Sequence, residues 1–461
     1  MKPNNEVKGT TMNITRRRTI VRTAALAGAL SLALAACSSS DDSGAEAPSS
    51  EDAAADIQAA LDEGGEITVW AWEPTLTQVV EDFEAEYPNV TVNLANVGTS
   101  QDQYTSLQNA LAAGDGVPDV AQIEYYAIPQ FAIGESLADL TPYGAADLDG
   151  TFTPGPWSTV KQGDAIYGLP MDSGPMAMFY NAEIFDGLGI DVPTTWDEYY
   201  EAAKAIHEAD PNVYITSDNG DAGQTLSMTW QAGGRPYTVD GTDVSIDFSD
   251  EGTTKYATQW QKMIDEGLLS DIGGWSDEWF QGLGNGTLAT LVTGAWMPAN
   301  LESGAPDGEG KWRVAPMPQW EDGESVTSEN GGSSIAVMEA SENKELAYAF
   351  IDYANVGDGI QTRIDGGAFP ATTAELNSDE FLNKEFPYFG GQKVNEVLSQ
   401  SAADVAEGWQ FLPYQVYANS VFKDTAGQAY INSSTSLADG LQSWQDTSVK
   451  YGNDQGFSVD Q

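Results

Sequence analysis

The chain has one cysteine, one histidine and 19 lysines and arginines in 461 residues, against 70 aspartates and glutamates. A single thiol excludes an intrachain disulfide framework and a cysteine-based zinc site. A single imidazole, His207 in "AKAIHEADP", excludes a histidine metal cluster and leaves any Ser–His–Asp triad resting on that one residue. Its position near a helix end reads as an ordinary helix-terminal histidine. No metal and no cofactor are expected. The shortage of cations deepens past the N-terminus: from Cys37 onward 69 acids face 13 bases, a net charge of −56. Such a body is repelled by nucleic acid and by anionic lipid, so neither is expected as a partner through a basic patch. The acidity itself reads as a solvated surface.

Nucleotide motifs are missing too. There is no G-x-x-x-x-G-K-[ST] loop. "GLGNGT" (282–287) follows a helix-like stretch and precedes a strand-like one, the wrong order for a dinucleotide fingerprint. "SDNGDAG" (217–223) lacks the alternating ligands of a calcium loop. Paired carboxylates for glycoside hydrolysis are uninformative where acids are so many. No catalytic residue is assigned.

What is present begins with the cysteine's place. Arg16, Arg17, Arg18 and Arg22 precede the apolar run "TAALAGALSLALAA" (23–36), which has the length of a signal-peptide core and is short for a membrane span. The run ends in Leu34-Ala35-Ala36-Cys37, and small and acidic residues follow. The pattern resembles a bacterial lipobox. That resemblance implies lipid transfer to the Cys37 thiol, cleavage before it, and anchoring by two or three acyl chains. Residues 1–36 are then a signal peptide and 37–63 a lipidated cysteine with a flexible acidic linker. Arg17-Arg18 with the spacing after it also resembles a twin-arginine signal, general secretion being the alternative. Met12 could be the true start.

The body shows a period that switches between two and 3.6. "EITVWAWEP" reads as a strand, "TLTQVVEDFEAEYP" as a helix, "NVTVNLANV" as a strand, "QYTSLQNALAAGDG" as a helix stopped by Gly114, and "PDVAQIEYY" as a strand. Strand–helix–strand–helix–strand predicts parallel pairing in an open α/β sheet. Further on, "MAMFYN" and "SIAVME" read as strands. "TTWDEYYEAAKAIHEAD" reads as a helix capped by Thr194 or Thr195, and "TKYATQWQKMIDEGLL" and "ENKELAYAFIDYANV" as helices. "YQVYANSVFKDTAGQAYIN" and "SLADGLQSWQDTSVK" read as two C-terminal helices. Thirteen tryptophans and 19 tyrosines without a catalytic group favour binding over catalysis. Aromatic faces suit the C–H face of a sugar ring, and carboxylates or amides suit its hydroxyls.

Several stretches, in order, resemble the extracellular solute-binding proteins of ABC importers, the sugar-binding family that includes maltose-binding protein. They are "VVEDFEAEYPNVTV", "GVPDVAQIE", "ESLADLTPY", "YGLPMD", "FYNAEIFDGLGIDVPTTWDEY", "GAWMPANL" and "NKELAYAFIDY". The resemblance implies a two-lobe periplasmic-binding-protein-like α/β fold with an interlobe ligand cleft and multiple hinge crossings. Lobe 1 would hold 64–170 and 326–375, and lobe 2 would hold 171–325 and 376–461. It further implies a monomer at the outer face of the cytoplasmic membrane, anchored by lipid only, that delivers a sugar to ABC permease subunits. A lipid-anchored glycoside hydrolase is the alternative from another class, and an adhesive surface protein is a third.

Ligands of open α/β sheets bind beyond the carboxyl ends of the strands. Trp72 and Glu73, Glu124 and Tyr125, Asp172 and Trp296 end or follow such strands, and Asn330, Gly331 and Gly332 precede the strand "SSIAV". Trp296 is the expected stacking platform, followed by Trp230, Phe369 and Trp409. Glu124, Asp172 and Glu73 are the expected hydroxyl acceptors. Trp275 in "GGWSDEW" is a weaker candidate, and Trp196 and Phe179 are expected in the core. Few bases and many aromatics favour a neutral sugar, an oligosaccharide before a monosaccharide.

Overall fold

A computed structural model describes residues 50–461; Cys37, the segment before it and residues 38–49 lie outside the described residues. The first lobe is built on a five-stranded sheet. Its order is Val90–Ala95, Gly65–Trp70, Val120–Glu124, Ser333–Val337 and Leu169–Pro170. The first three strands are parallel, as the alternating pattern requires, with Ile67 opposite Val92 and Val69 opposite Val120. The helices Leu76–Glu86 and Gln101–Ala113 make the crossovers, and Gly114 ends the second in the left-handed conformation. Leu76, Val79, Val80 and Phe83 put one apolar stripe of the first helix into the core, beside Phe350 and Ile351.

Ser333–Val337 joins this sheet antiparallel to Val120–Glu124 although some 200 residues separate them. The chain therefore leaves the first lobe after Pro170, builds a second, and returns. The second lobe has a three-stranded antiparallel sheet, with Met176–Asn181 between Thr290–Gly294 and Trp312–Pro316. Around it pack the helices Trp196–Ala209, Glu251–Asp265 and Leu437–Gln455. Thr195 caps the first of these in a capping box with Glu198. Trp196 and Phe179 are buried, as expected. His207 places Nδ1 3.0 Å from the Val213 carbonyl and its ring 4.9 Å from Tyr214.

Two elements differ from expectation. Residues 50–63, read as tether, form the helix Ser50–Glu63, whose Ala53 and Leu61 are buried and whose Ile57 and Ala60 pack on the first lobe's core. The apolar positions fall on one helical face, but alanine makes the stripe too weakly hydrophobic to stand out in an acidic stretch. The stretch 414–432 is broken into Gln415–Ser420 and Gly427–Asn432. At Gly427 a Cβ would lie 3.1 Å from the Phe422 carbonyl, so the turn between them closes tightly on the backbone.

Candidate functional site

The chain crosses between the lobes where the expected loops converge. At the first crossing the Asp172 carboxylate accepts the Ser333 N–H at 2.6 Å. In return Glu329, on the second crossing, accepts Ser173 Oγ at 2.9 Å and the Gly174 N–H at 3.0 Å. The two crossings are thus clamped by reciprocal carboxylates. They also touch backbone to backbone, since a Cβ on Gly174 would lie 2.2 Å from the Asn330 carbonyl oxygen. A third crossing is held by Ser173 N–H donating to Phe369 O at 3.4 Å.

Burial dominates the charges here. It lifts Asp172 from 3.8 to about 7, with Glu73 and Glu329 pushing the same way and Arg363 and the Ser333 bond opposing. It lifts Glu329 from 4.5 to about 7 against its two hydrogen bonds. Arg363, 1% exposed, donates to Asn355 Oδ1 at 2.6 Å. Its Nε and Nη2 have no hydrogen-bond partner, and its charge is set against Glu73 and Asp172.

Next to the hinge lies a cavity of about 250 Å³. One wall is aromatic: Trp296, Trp275 and Trp279. Trp296 follows the strand Thr290–Gly294 and donates Nε1–H to Asn330 O at 2.8 Å. Close packing requires glycine beneath it, because a Cβ on Gly294 would lie 2.3 Å from that nitrogen and one on Gly331 3.2 Å from it. The polar part of the lining comes from the loop Ser217–Gly220 with Asp221, Gln224, Asn330 and Lys423, and Trp279 Nε1–H donates to Ser217 Oγ at 2.8 Å. Asp218 accepts Trp260 Nε1–H at 2.8 Å and the Gly220 N–H at 2.9 Å. Burial lifts its carboxyl to about 6 despite both bonds.

Outside the cavity lining, Glu124 of the first lobe accepts Ser100 Oγ at 2.6 Å and the Tyr104 hydroxyl at 3.0 Å. Burial raises its carboxyl, and the negative charge of Asp221 on the facing lobe adds to the rise. Ser100 holds this contact at φ 48°, a strained value for a residue with a Cβ.

The expected site residues separate into groups. Trp296 and Asn330 line the cavity, with Gly331 under the indole. Glu124 faces the cavity's Asp221. Asp172, Glu73 and Gly332 lie at the hinge. Tyr125 is buried and donates its hydroxyl to Asp172 O at 2.6 Å, and a Cβ on Gly332 would meet its ring at 2.6 Å. Trp72 is half-buried edge-on to Tyr104, and its N–H and that of Glu73 both donate to Gln122 Oε1.

Trp230 and Trp409 stack on each other at 5.1 Å and 9°. Trp409 meets Phe411, and Phe411 meets Tyr126 of the first lobe at 6.5 Å, so this row bridges the lobes. Trp230 is 5% exposed and Phe369 4%, the latter packed on Phe381 in a core cluster. Neither presents an open face for stacking, so their placement corrects the expectation of a platform at these two positions. The sequence does not distinguish them from Trp296 because a core aromatic and a cleft aromatic are the same residue type.

Missed altogether were Asp218, Asn219, Asp221, Gln224 and Lys423. Their signal was present in "SDNGDAG", where Asp, Asn and Gly cluster before a helix whose N-cap is Asp221. A second cavity of about 350 Å³, near Asp365, Glu375 and Lys384, has only one aromatic in its lining, the buried Phe381. It offers no stacking face. Among the described residues no group of three or more His, Cys, Asp or Glu is arranged to hold a metal ion.

Two α/β lobes hinged around a cleft of tryptophans and carboxylates define a solute-binding protein. The chain belongs to the bacterial extracellular solute-binding protein family, whose model matches residues 71–355. It is 49% identical to an ABC transporter associated binding protein from B. animalis subsp. lactis, solved in complex with β-1,6-galactobiose. That match has a TM-score of 0.80 and covers 86% of this chain and 99% of the other. It is 26% identical to the galacto-N-biose-/lacto-N-biose I-binding protein of Bifidobacterium longum, with a TM-score of 0.77 over 86% and 99% of the two chains. It is also 27% identical over 379 residues to the lactose-binding protein of Rhizobium radiobacter, covering 78% of this chain and 86% of that one.

Proposed function

We propose that this chain captures a neutral galactose-containing oligosaccharide in the cleft and delivers it, as a monomer, to the permease subunits of an ABC importer, without turning it over. The observation that carries the reading is the single cavity lined by Trp296, Asp218 and Asp221, with Glu124 of the first lobe close enough to Asp221 to feel its charge. It offers an apolar face for a pyranose ring and acceptors for its hydroxyls. The likeness to a β-1,6-galactobiose complex at 49% identity supports the choice of sugar. Binding in such a cleft favours the closed arrangement of the lobes, the form a permease would select. The hinge crossings fall near 171–174, 326–332 and 368–376, with lobe 1 at 64–170 and 326–375, joined by the helix 50–63, and lobe 2 at 171–325 and 376–461.

The test is calorimetry and thermal melting of residues 38–461, which contain every described element. The probes are β-1,6-galactobiose, lacto-N-biose, lactose and maltose. We expect one-to-one binding of a galactoside, with a melting temperature that rises with ligand by linkage. Unaltered sugar should be recovered at the end. Released monosaccharide, abolished by replacing one acid, would establish the hydrolase instead.

The body is held at the outer face of the membrane by lipid on Cys37, which lies outside the described residues. Cys37→Ala should move the protein from the membrane fraction into the medium with its sugar affinity unchanged. Retention in the membrane fraction would overturn the anchor.

A further inference from the structure

Ser100 holds the N-cap position of the helix Gln101–Ala113 but does not cap it. Its backbone lies at φ 48° and ψ −113°, and its side chain makes no bond to the first turn. A serine at this position ordinarily has an extended backbone and accepts an N–H two or three residues on. The turn around it accounts for the angles. The Asp102 N–H donates to the Thr99 carbonyl at 3.1 Å, so Thr99–Asp102 is a four-residue turn with Ser100 second. The angles are those of a type II′ turn, whose second residue is glycine by preference because a Cβ opposes a positive φ. The chain thus carries serine where the backbone favours glycine, and the serine does not make the capping bond.

What the conformation does give the side chain is a direction. Ser100 Oγ–H donates to Glu124 Oε2 at 2.6 Å. Tyr104 donates to the same oxygen at 3.0 Å and accepts the Glu124 N–H at 2.8 Å. Residues four apart share a helix face, so one face of the first turn grips the end of the strand Val120–Glu124. The carboxylate is also placed at the N-terminus of a 13-residue helix, where the helix dipole favours negative charge. Tyr126 supports the charged form too, whereas burial and Asp221 of the second lobe oppose it. The neighbouring strand meets Glu124 with Ser333. Tyr104, Tyr126 and Asp221 are therefore the titratable groups acting on this acid, and none is a cation. Hydroxyl donors and the helix terminus hold it ionised and oriented. Backbone strain kept at a residue that serves no local cap, and aimed at an acid that feels the other lobe, fits a role in the site.

We infer that Ser100 is a positioning residue, whose hydroxyl holds the Glu124 carboxylate as the first lobe's acceptor for a hydroxyl of the bound sugar. This deepens the sugar-binding reading and rests on it. Asp218 and Asp221 belong to the second lobe, so an acceptor fixed on the first lets one ligand join the two. With the Ser100 hydroxyl removed, the carboxylate loses a donor that favours its charge. Its protonation then begins at a higher pH, and the acceptor is lost sooner as pH falls.

The test measures β-1,6-galactobiose binding by calorimetry across about pH 5 to 8 on the wild-type body, Ser100→Gly, Ser100→Ala and Glu124→Gln. Both Ser100 variants should bind about tenfold more weakly at the acid end. Their loss of affinity should begin at a higher pH than in wild type. They should differ in stability, Ser100→Gly melting above Ser100→Ala, because only glycine suits φ 48°. Glu124→Gln should bind weakly at every pH, and adding Ser100→Gly to it should change affinity by less than about twofold. A purely structural role predicts the opposite signature, with affinity following melting temperature. Ser100→Gly would then bind like wild type, Ser100→Ala alone would weaken, and the pH profile would not move. That result overturns the inference. So does a loss from Ser100→Gly that is equally large in the Glu124→Gln background. Wild-type protein that binds no galactobiose would remove the reading on which the inference rests, an outcome distinct from an unmoved pH profile in the Ser100 variants.

Discussion

Replacing Trp296 with alanine should weaken sugar binding by about 100-fold. A ring laid on the indole removes roughly 80–100 Å² of apolar surface from water, which at about 25 cal/mol per Å² is worth about 2–2.5 kcal/mol. Ring-on-ring geometry adds up to about 1 kcal/mol. At about 1.4 kcal/mol per factor of ten, the sum is close to two decades. The residue also ties the cleft wall to the hinge, because its Nε1–H donates to the Asn330 carbonyl on the second crossing. Trp296→Phe separates the two contributions. It keeps most of the stacking face but loses the donor, so affinity within about tenfold of wild type marks stacking as the larger part. Melting of the ligand-free variants shows whether either change merely unfolds the lobe. Alanine at 296 with wild-type affinity and a normal melting curve would falsify the stacking role.

A second large effect is expected from the hinge carboxylates as pH changes. Asp172 and Glu329 both release their protons near pH 7 in the folded chain, because burial penalises the ionised form. In the unfolded chain they ionise near pH 4. Between those limits the folded protein holds protons that the unfolded one has lost. Stability contributed by these groups is therefore greatest below about pH 4, falls as pH rises toward 7, and levels off above it. Moving one carboxyl's ionisation upward by about two and a half to three on the pH scale is worth on the order of 3–4 kcal/mol across that window. Repulsion among the surface acids runs in the same direction, so the wild-type slope alone does not identify the hinge. Glu329→Gln does, since it removes one titration while its amide oxygen still accepts the Gly174 N–H and its NH2 donates to Ser173 Oγ, whose hydroxyl acts as acceptor instead. Its melting temperature should fall less than that of wild type between pH 4.5 and 7.5. Parallel curves for the two proteins would place the pH sensitivity elsewhere.

Arg363 makes the hinge more than a pair of acids. It is a buried cation with two N–H groups unbonded, held against Glu73 and Asp172. Nothing in the sequence marked it, because a lone arginine in "IQTRIDGG" has the look of a surface residue on a short helix. Its role depends on a loop from residue 73 and another from residue 172 arriving at the same point. The same limit applies to Asp218 and Asp221. Their loop was visible as a polar cluster, but only the folded lobe brings it opposite Trp296.

What could be read was local and periodic. The β–α–β–α–β order at the start of the body, the Gly114 stop and the Thr195 cap each follow from a few neighbouring residues, and each is present in the fold. The carboxyl ends of strands also point to Glu124 and Asp172 in the first-lobe sheet and to Trp296 in the second, each at or just past the end of its own strand. Exposure was not legible. Phe369 follows Ala368 as Trp296 follows Ala295, Trp230 lies two residues before Ala232, and only packing separates the three.

The helix Ser50–Glu63 changes how far the body can travel from its anchor. A tether ending at residue 63 would have had 26 residues after Cys37, but the helix packs the last 14 of them onto the first lobe. Twelve residues are left, 38–49, whose fully extended length is about 40 Å. If Cys37 carries lipid as proposed, that length bounds how far the first lobe can sit from the bilayer, and encounter with a permease would be a search in two dimensions, where the local concentration of each partner is set by the membrane area and not by the volume outside.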